Sequence, residues 1–220
     1  MRLFEAFTPL LDEAAGIAKE WLGGLPSRGA GASATAEELR RALDRPLGED
    51  GESAADVVRS FARAVEPGLA ASPGPRYFGF VTGGSLPAAL AADWLASAWD
   101  QNGFLYASSP AIAVTEDIVA SWVLDLLGLP PEASVGFVTG CQMANFTALA
   151  AARHEVLKRS GWDVEADGLF GAPEVAVVAG EEAHATIFVA LRMLGLGEKN
   201  TMLVPADGQG RMIPRPCGRP

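Results

Sequence analysis

Cysteine is scarce in this chain of 220 residues. Its two cysteines, Cys141 and Cys217, are too few for a disulfide framework and stand in no metal-ligand spacing. The default that follows is a reduced, cytoplasmic protein with no bound metal. Long apolar runs are missing as well, and none approaches the ~20 residues that span a bilayer. The N-terminal stretch MRLFEAFTPLLDEAAG places Glu5, Asp12 and Glu13 where a secretory signal needs unbroken apolar residues. Positive charge is short: 17 Lys and Arg face 27 Asp and Glu, a formal net charge of −10. That balance argues against nucleic acid or an anionic membrane surface as partner. A small-molecule substrate stays open, because a site can be locally cationic within an acidic protein. Internal repeats and low-complexity segments are also lacking.

What is present is the composition of a globular protein, 49% hydrophobic and 20% charged, at a length that suits one domain or slightly more. Residues 3–22 predict an amphipathic helix, with Leu3, Phe7, Leu10, Leu11, Ala14, Ala18 and Leu22 on one face. After the loop GGLPSRGAGASA, Thr35 with Glu38 has capping-box spacing before a short helix to Leu43. Ser53 opens a further helix through Val65, stopped by Pro67-Gly68. YFGFVTGGSLP, residues 77–87, reads as an aromatic extended segment. Ser85 and Pro87 begin a helix to about Trp99, and Ser109-Pro110 begin another that Gly128 and Pro130 close.

From residue 136 the rhythm becomes strand, turn, helix. Phe137 to Thr139 leads into a helix over 141–159; EVAVVAG, 174–180, leads into a helix from about 184 to 194; TMLVPADG, 201–208, is a third strand. The pattern βαβαβ predicts an α/β fold with a parallel sheet covered by helices.

In such sheets ligands bind beyond the carboxyl ends of strands, where the first turn of a helix offers free N–H groups to an anion. Gly140 allows close approach of backbone, Cys141 leaves room, and Gln142 offers an amide donor. No lysine follows, so this is no P-loop. GLGEKN, from residue 195, follows a helix and is no dinucleotide fingerprint. Other readings stay open at this point: Gly140 as a plain tight turn, or Cys141 as a nucleophile activated by the helix. His154 cannot serve that cysteine as base, being roughly 20 Å away along the same helix. His184 stands at the second strand-to-helix boundary, as a helix cap, a surface residue or a flat ring for a planar ligand. Glu181 and Glu182 read as charges at that helix start rather than as metal ligands.

Taken in order, YFGFVTGG, ASSPAIAVTEDIVASWVLDLLGLP, GFVTGCQMANFTALAAARH, GWDVEADGLFGAP, EEAHATIFVALRMLGLG and VPADGQGRM resemble the pyridoxal-phosphate-dependent group II amino acid decarboxylases. The resemblance runs from about residue 75 to 213 and more weakly through the N-terminus. It implies part of the large domain of a fold type I, aspartate aminotransferase-like enzyme, preceded by an N-terminal helical segment. The expected domains are 1–75, 76–213 and a tail of 214–220. It implies that Gly140, Cys141 and Gln142 hold the phosphate of pyridoxal 5'-phosphate, where family members often carry Ser or Thr in place of Gln142. His184 matches the histidine that stacks on the pyridine ring. Thr186 lies in the same pocket, and Phe80 and Leu86 match the segment lining the substrate pocket. The implied reaction takes an L-amino acid to an amine and CO₂, the cofactor ring accepting the electron pair. The family is homodimeric, its N-terminal helices wrapping around the partner. Their apolar faces suit that role and equally suit packing on the chain's own core.

A lysine that carries the cofactor is missing. Of Lys19, Lys158 and Lys199, none follows a histidine, as the family's lysine does. Asp207 reads as a turn residue rather than a partner for the pyridine nitrogen. The expectation is therefore a chain cut short before its catalytic lysine, with an incomplete sheet and no turnover alone. Two other readings remain: another fold type I enzyme such as an aminotransferase or aldolase, and a non-catalytic fragment that binds cofactor or a partner.

Overall fold

A computed structural model describes residues 3–214. The expectations that touch Cys217 and the end of the tail lie outside those residues. Contacts divide the chain into two compact units, Met1–Gln101 and Asn102–Pro220. That division falls later than the expected domain boundary at 75/76, which concerns the resemblance rather than compactness.

In the first unit a 3-10 turn, Leu3–Ala6, leads into α1 (Phe7–Gly24), then α2 (Ala36–Leu43) and α3 (Ala54–Val65). The starts of α2 and α3 are written locally. Thr35 Oγ1 accepts from the Glu38 N–H while a Glu38 carboxylate oxygen accepts from the Thr35 N–H, the reciprocal box the spacing predicts. Ser53 caps α3 through the Asp56 N–H. Arg59 of α3 reaches Glu13 of α1 at 2.8 Å and Asp56 at 2.9 Å. A 3-10 turn, Glu66–Gly68, ends α3 where Pro67 forbids continuation. The Pro67 carbonyl then accepts from the N–H groups of Ser33 and Ala34, and Arg28 pairs with Glu66. Helix α4 (Pro87–Trp99) starts after Leu86, with Pro87 in its first turn.

Residues 77–87 are not extended throughout. Phe80 and Val81 stand at φ 55° and 54°, and the Thr82 N–H donates to the Gly79 carbonyl at 3.2 Å. Two successive positive φ values make a reversal, and the following glycines do not set its position.

The second unit holds α5 (Pro110–Leu127), α6 (Cys141–Arg159), the short α7 (Val164–Asp167), β1 (Val177–Gly180), α8 (Ala185–Met193), a 3-10 turn (Glu198–Asn200) and β2 (Thr201–Val204). Gly128 ends α5 at φ 63°, as a left-handed cap requires. Strands β1 and β2 pair in parallel, Val177 opposite Thr201 through Gly180 opposite Val204. With α8 between them they form one βαβ unit.

The first strand of the expected βαβαβ is absent. Residues 133–138 carry no strand, and Phe137 and Val138 are about half exposed. A strand exists through its ladder, and among the described residues no partner lies beside this apolar run. The core sits where α6 packs on α8: Leu157, Ala190 and Leu191 are essentially sealed from water, with Leu194 beside them. Arg153 of α6 donates to the Leu194 carbonyl at 2.9 Å, closing the last turn of α8. By contrast, no residue of α1, α2, α3 or α4 is buried. No helix among the described residues is long and apolar enough to cross a membrane.

Candidate functional site

The two helices that share this core also start side by side, which follows from their packing and from the turns that launch them. Gly140 precedes α6, and a side chain built there would meet nothing within 4 Å. No side chain caps α6, and its first turn carries no acidic residue. The first intrahelical bond is from the Ala144 N–H to the Gly140 carbonyl. The amides ahead of it thus form an open, positively polarised end. Cys141 is a free, exposed thiol on that turn.

Helix α8 begins differently. It is capped by His184, whose Nδ1 accepts from the Thr186 N–H at 3.3 Å and lies 2.9 Å from the Thr186 hydroxyl. His184 is exposed and follows the carboxyl end of β1. Here the cap and the exposed ring are the same residue.

Side chains from α6 cross to this start. Asn145 Nδ2 donates to Thr186 Oγ1 at 2.8 Å, and Gln142 Nε2 donates to the Thr186 carbonyl at 3.4 Å. The structure therefore brings Gly140, Cys141, Gln142, Thr186 and His184 into one cluster. Gln142 is engaged with α8 instead of lying free above its own helix start. Asn145 is the member that sequence reasoning missed. Its only signal was a position three residues after Gln142, on the same helix face.

Phe80 and Leu86 belong to the other unit. Phe80 is almost fully exposed in its turn, and Leu86 is exposed directly before α4. Glu181 lies ahead of α8, whose first turn holds no acidic residue. Its carboxylate accepts from the Ala206 N–H at 2.7 Å and ties the end of β1 to the chain after β2. Asp207 is a turn residue as read: its carboxylate accepts from the Gln209 and Arg211 N–H groups and from the Arg211 side chain. Those hydrogen bonds, the Arg211 N–H first, hold its carboxyl below the ordinary range. A cleft of about 420 Å³ lies toward the far end of α6, lined by His154, Lys158 and Trp162 among others. Among the described residues no cluster of three or more His, Cys, Asp or Glu side chains could hold a metal.

Lys158 is in the last turn of α6, opposite the end that carries the cluster. Lys199 stands in the turn before β2, and the register puts that end of β2 beside the start of β1, away from His184.

Comparison with known proteins gives one consistent answer. A family model described as the pyridoxal-dependent decarboxylase conserved domain matches residues 36–217. Tryptophan decarboxylase 1 of Oryza sativa subsp. japonica is 29% identical over 164 residues, covering 70% of this chain and 31% of the relative. Cysteine sulfinic acid decarboxylase of Mus musculus is 29% identical over 183 residues, 83% of this chain and 36% of the relative. The crystal structure of mouse CSAD superposes with a TM-score of 0.83 at 27% identity, covering 93% of this chain and 42% of that one. The chain thus spans about a third of the length of the curated relatives it matches.

Proposed function

The chain belongs to the pyridoxal-dependent decarboxylase family, and from that premise we propose that the α6–α8 cluster is the cofactor site of an L-amino acid decarboxylase that releases an amine and CO₂. The observation that carries the reading is the pairing of an uncapped α6 start with the His184 start of α8, joined through Thr186. The residues present fit pyridoxal 5'-phosphate. The open space at Gly140 and the absence of an acidic residue in the first turn of α6 suit a phosphate on the leading amides. Cys141 and Gln142 would flank that phosphate, and the exposed His184 ring offers a flat face to the pyridine, with Thr186 fixing its angle. Bound there, the cofactor supplies the electron sink that decarboxylation requires. This chain's own residues bind and orient. Phe80 and Leu86 are proposed to line the substrate pocket. The whole is read as part of a fold type I large domain, 76–213, behind a helical segment, 1–75. The unburied faces of α1 and α3 support wrapping around a second subunit.

Titration of the chain with pyridoxal phosphate, followed by cofactor fluorescence, tests the site. Gln142→Glu sets a negative charge in the first turn of α6, beside the proposed phosphate, and should weaken binding at least tenfold. Unchanged affinity in that variant removes the site from consideration. Turnover needs a lysine on the cofactor, and neither Lys158 nor Lys199 stands at the cluster. The purified chain should give no borohydride-fixed adduct at a single lysine and no CO₂ from amino acids. A stoichiometric adduct with CO₂ release would overturn this.

A further inference from the structure

Hydrogen bonds at the start of α8 have a direction that one group fixes. The Thr186 backbone N–H can only donate, and it donates to His184 Nδ1. Nδ1 is therefore an acceptor, which requires the neutral imidazole to carry its proton on Nε2. The Thr186 hydroxyl, 2.9 Å from the same Nδ1, must then donate to it as well. A hydroxyl that has given its one proton has only lone pairs left for a third partner. Asn145 meets that need with Nδ2, at 2.8 Å. Each donor in the chain Asn145 to Thr186 to His184 points the same way, and the orientation of the Asn145 amide follows from the backbone rather than being a free choice.

We propose that Asn145 is a positioning residue that, through the Thr186 hydroxyl, holds neutral His184 as the Nε2–H tautomer. The one polar atom His184 then has left for a ligand is a donor. It serves an acceptor such as a carboxylate or phosphate oxygen. The α6 helix thereby reinforces, across 41 positions of sequence, the tautomer that the Thr186 backbone N–H selects. The meaning of that outward donor rests on the proposed cofactor site, whereas the tautomer itself does not.

The test is nitrogen NMR on the full chain, uniformly ¹⁵N-labelled, without and with pyridoxal phosphate. The sequence has only two histidines, so His154→Gln leaves His184 alone in the long-range ¹H–¹⁵N spectrum of the imidazole. At a pH where the ring is neutral, Nδ1 should resonate as an unprotonated nitrogen and Nε2 as a protonated one, with no second tautomer detected. Asn145→Asp replaces the donor by an acceptor, so the Thr186 hydroxyl turns toward it and a Nδ1–H population should become visible. Thr186→Val keeps the backbone N–H but removes the hydroxyl, so the Nε2–H form should lose part of its preference and a Nδ1–H population should appear, whereas Thr186→Ser should keep the original spectrum. If Asn145→Asp does not fold, the Val and Ser pair decides alone. A dominant Nδ1–H form in the unaltered chain, or a spectrum that Thr186→Val leaves unchanged, overturns the proposal. Because these spectra need no cofactor, a failed titration and a failed tautomer assignment are separate results.

Discussion

Val81 is a strained residue, a β-branched side chain at φ 54° beside Phe80 at φ 55°. Holding such a residue in the left-handed region costs about 1–2 kcal/mol, while glycine there loses about 0.4–1 kcal/mol through the looser unfolded chain. The first effect wins, so Val81→Gly should stabilise by roughly 0.5–1 kcal/mol in denaturant titration. Glu38 gives a second residue-scale expectation. The Thr35 N–H, and after it the Thr35 hydroxyl, hold its carboxyl below its ordinary value of 4.5. A depressed folded-state value means the stabilisation is complete above 4.5 and is lost as the pH falls through the folded value. Amide chemical shifts of α2 should report fraying in that acid window, and Glu38→Gln should abolish the pH dependence. Thr35 and Glu38 were legible in the sequence because their partners are three residues apart. Asn145 was not, because its partner lies on another helix and an asparagine within a helix has no signature of its own.

At the scale of elements the same division holds. Helix ends at Thr35, Ser53, Pro87, Pro110 and Gly128 were readable, since caps and prolines act within a turn. The strand expected at Phe137 to Thr139 was not secured by its apolar run, because a ladder needs a partner supplied from elsewhere. The EVAVVAG strand shortened to Val177–Gly180, where register with Thr201–Val204 gives it one. Helix α8 depends on its packing, with Leu191 wholly buried against α6. Leu191→Ala should cost about 2–5 kcal/mol in denaturant titration, and it should lower cofactor affinity because the α8 start moves with the helix.

Across the whole molecule, apolar surface is exposed in both units. Phe61 on α3 is 59% exposed, and on α5 Trp122 is 62% and Leu126 82% exposed. Trp122 and Leu126, one turn apart on α5, form an exposed apolar face, and faces of that kind mark association. The chain should sediment as a species larger than a monomer at micromolar concentration, and Phe61→Glu with Trp122→Glu should return it toward one. A monomer unaffected by either substitution would count against the wrapping role proposed for the N-terminal helices. Why these faces lie bare was outside the reach of the sequence, where the same periodicity suits a core or an interface.

The bonds that clasp α6 to α8 also carry a consequence for the order in which the chain folds. Asn145 to Thr186 and Arg153 to Leu194 each close a loop of 41 residues, a search costing about 3 kcal/mol in chain entropy before any contact repays it. Strands β1 and β2 meet across a shorter span, with α8 lying between them in sequence. Helix α6 should therefore dock late, onto a βαβ unit already formed. In stopped-flow kinetics Leu157→Ala on α6 should mainly speed unfolding, whereas Ala179→Gly in β1 should mainly slow folding. The shared network at Thr186 would then be the last part of the site to assemble and the first to open.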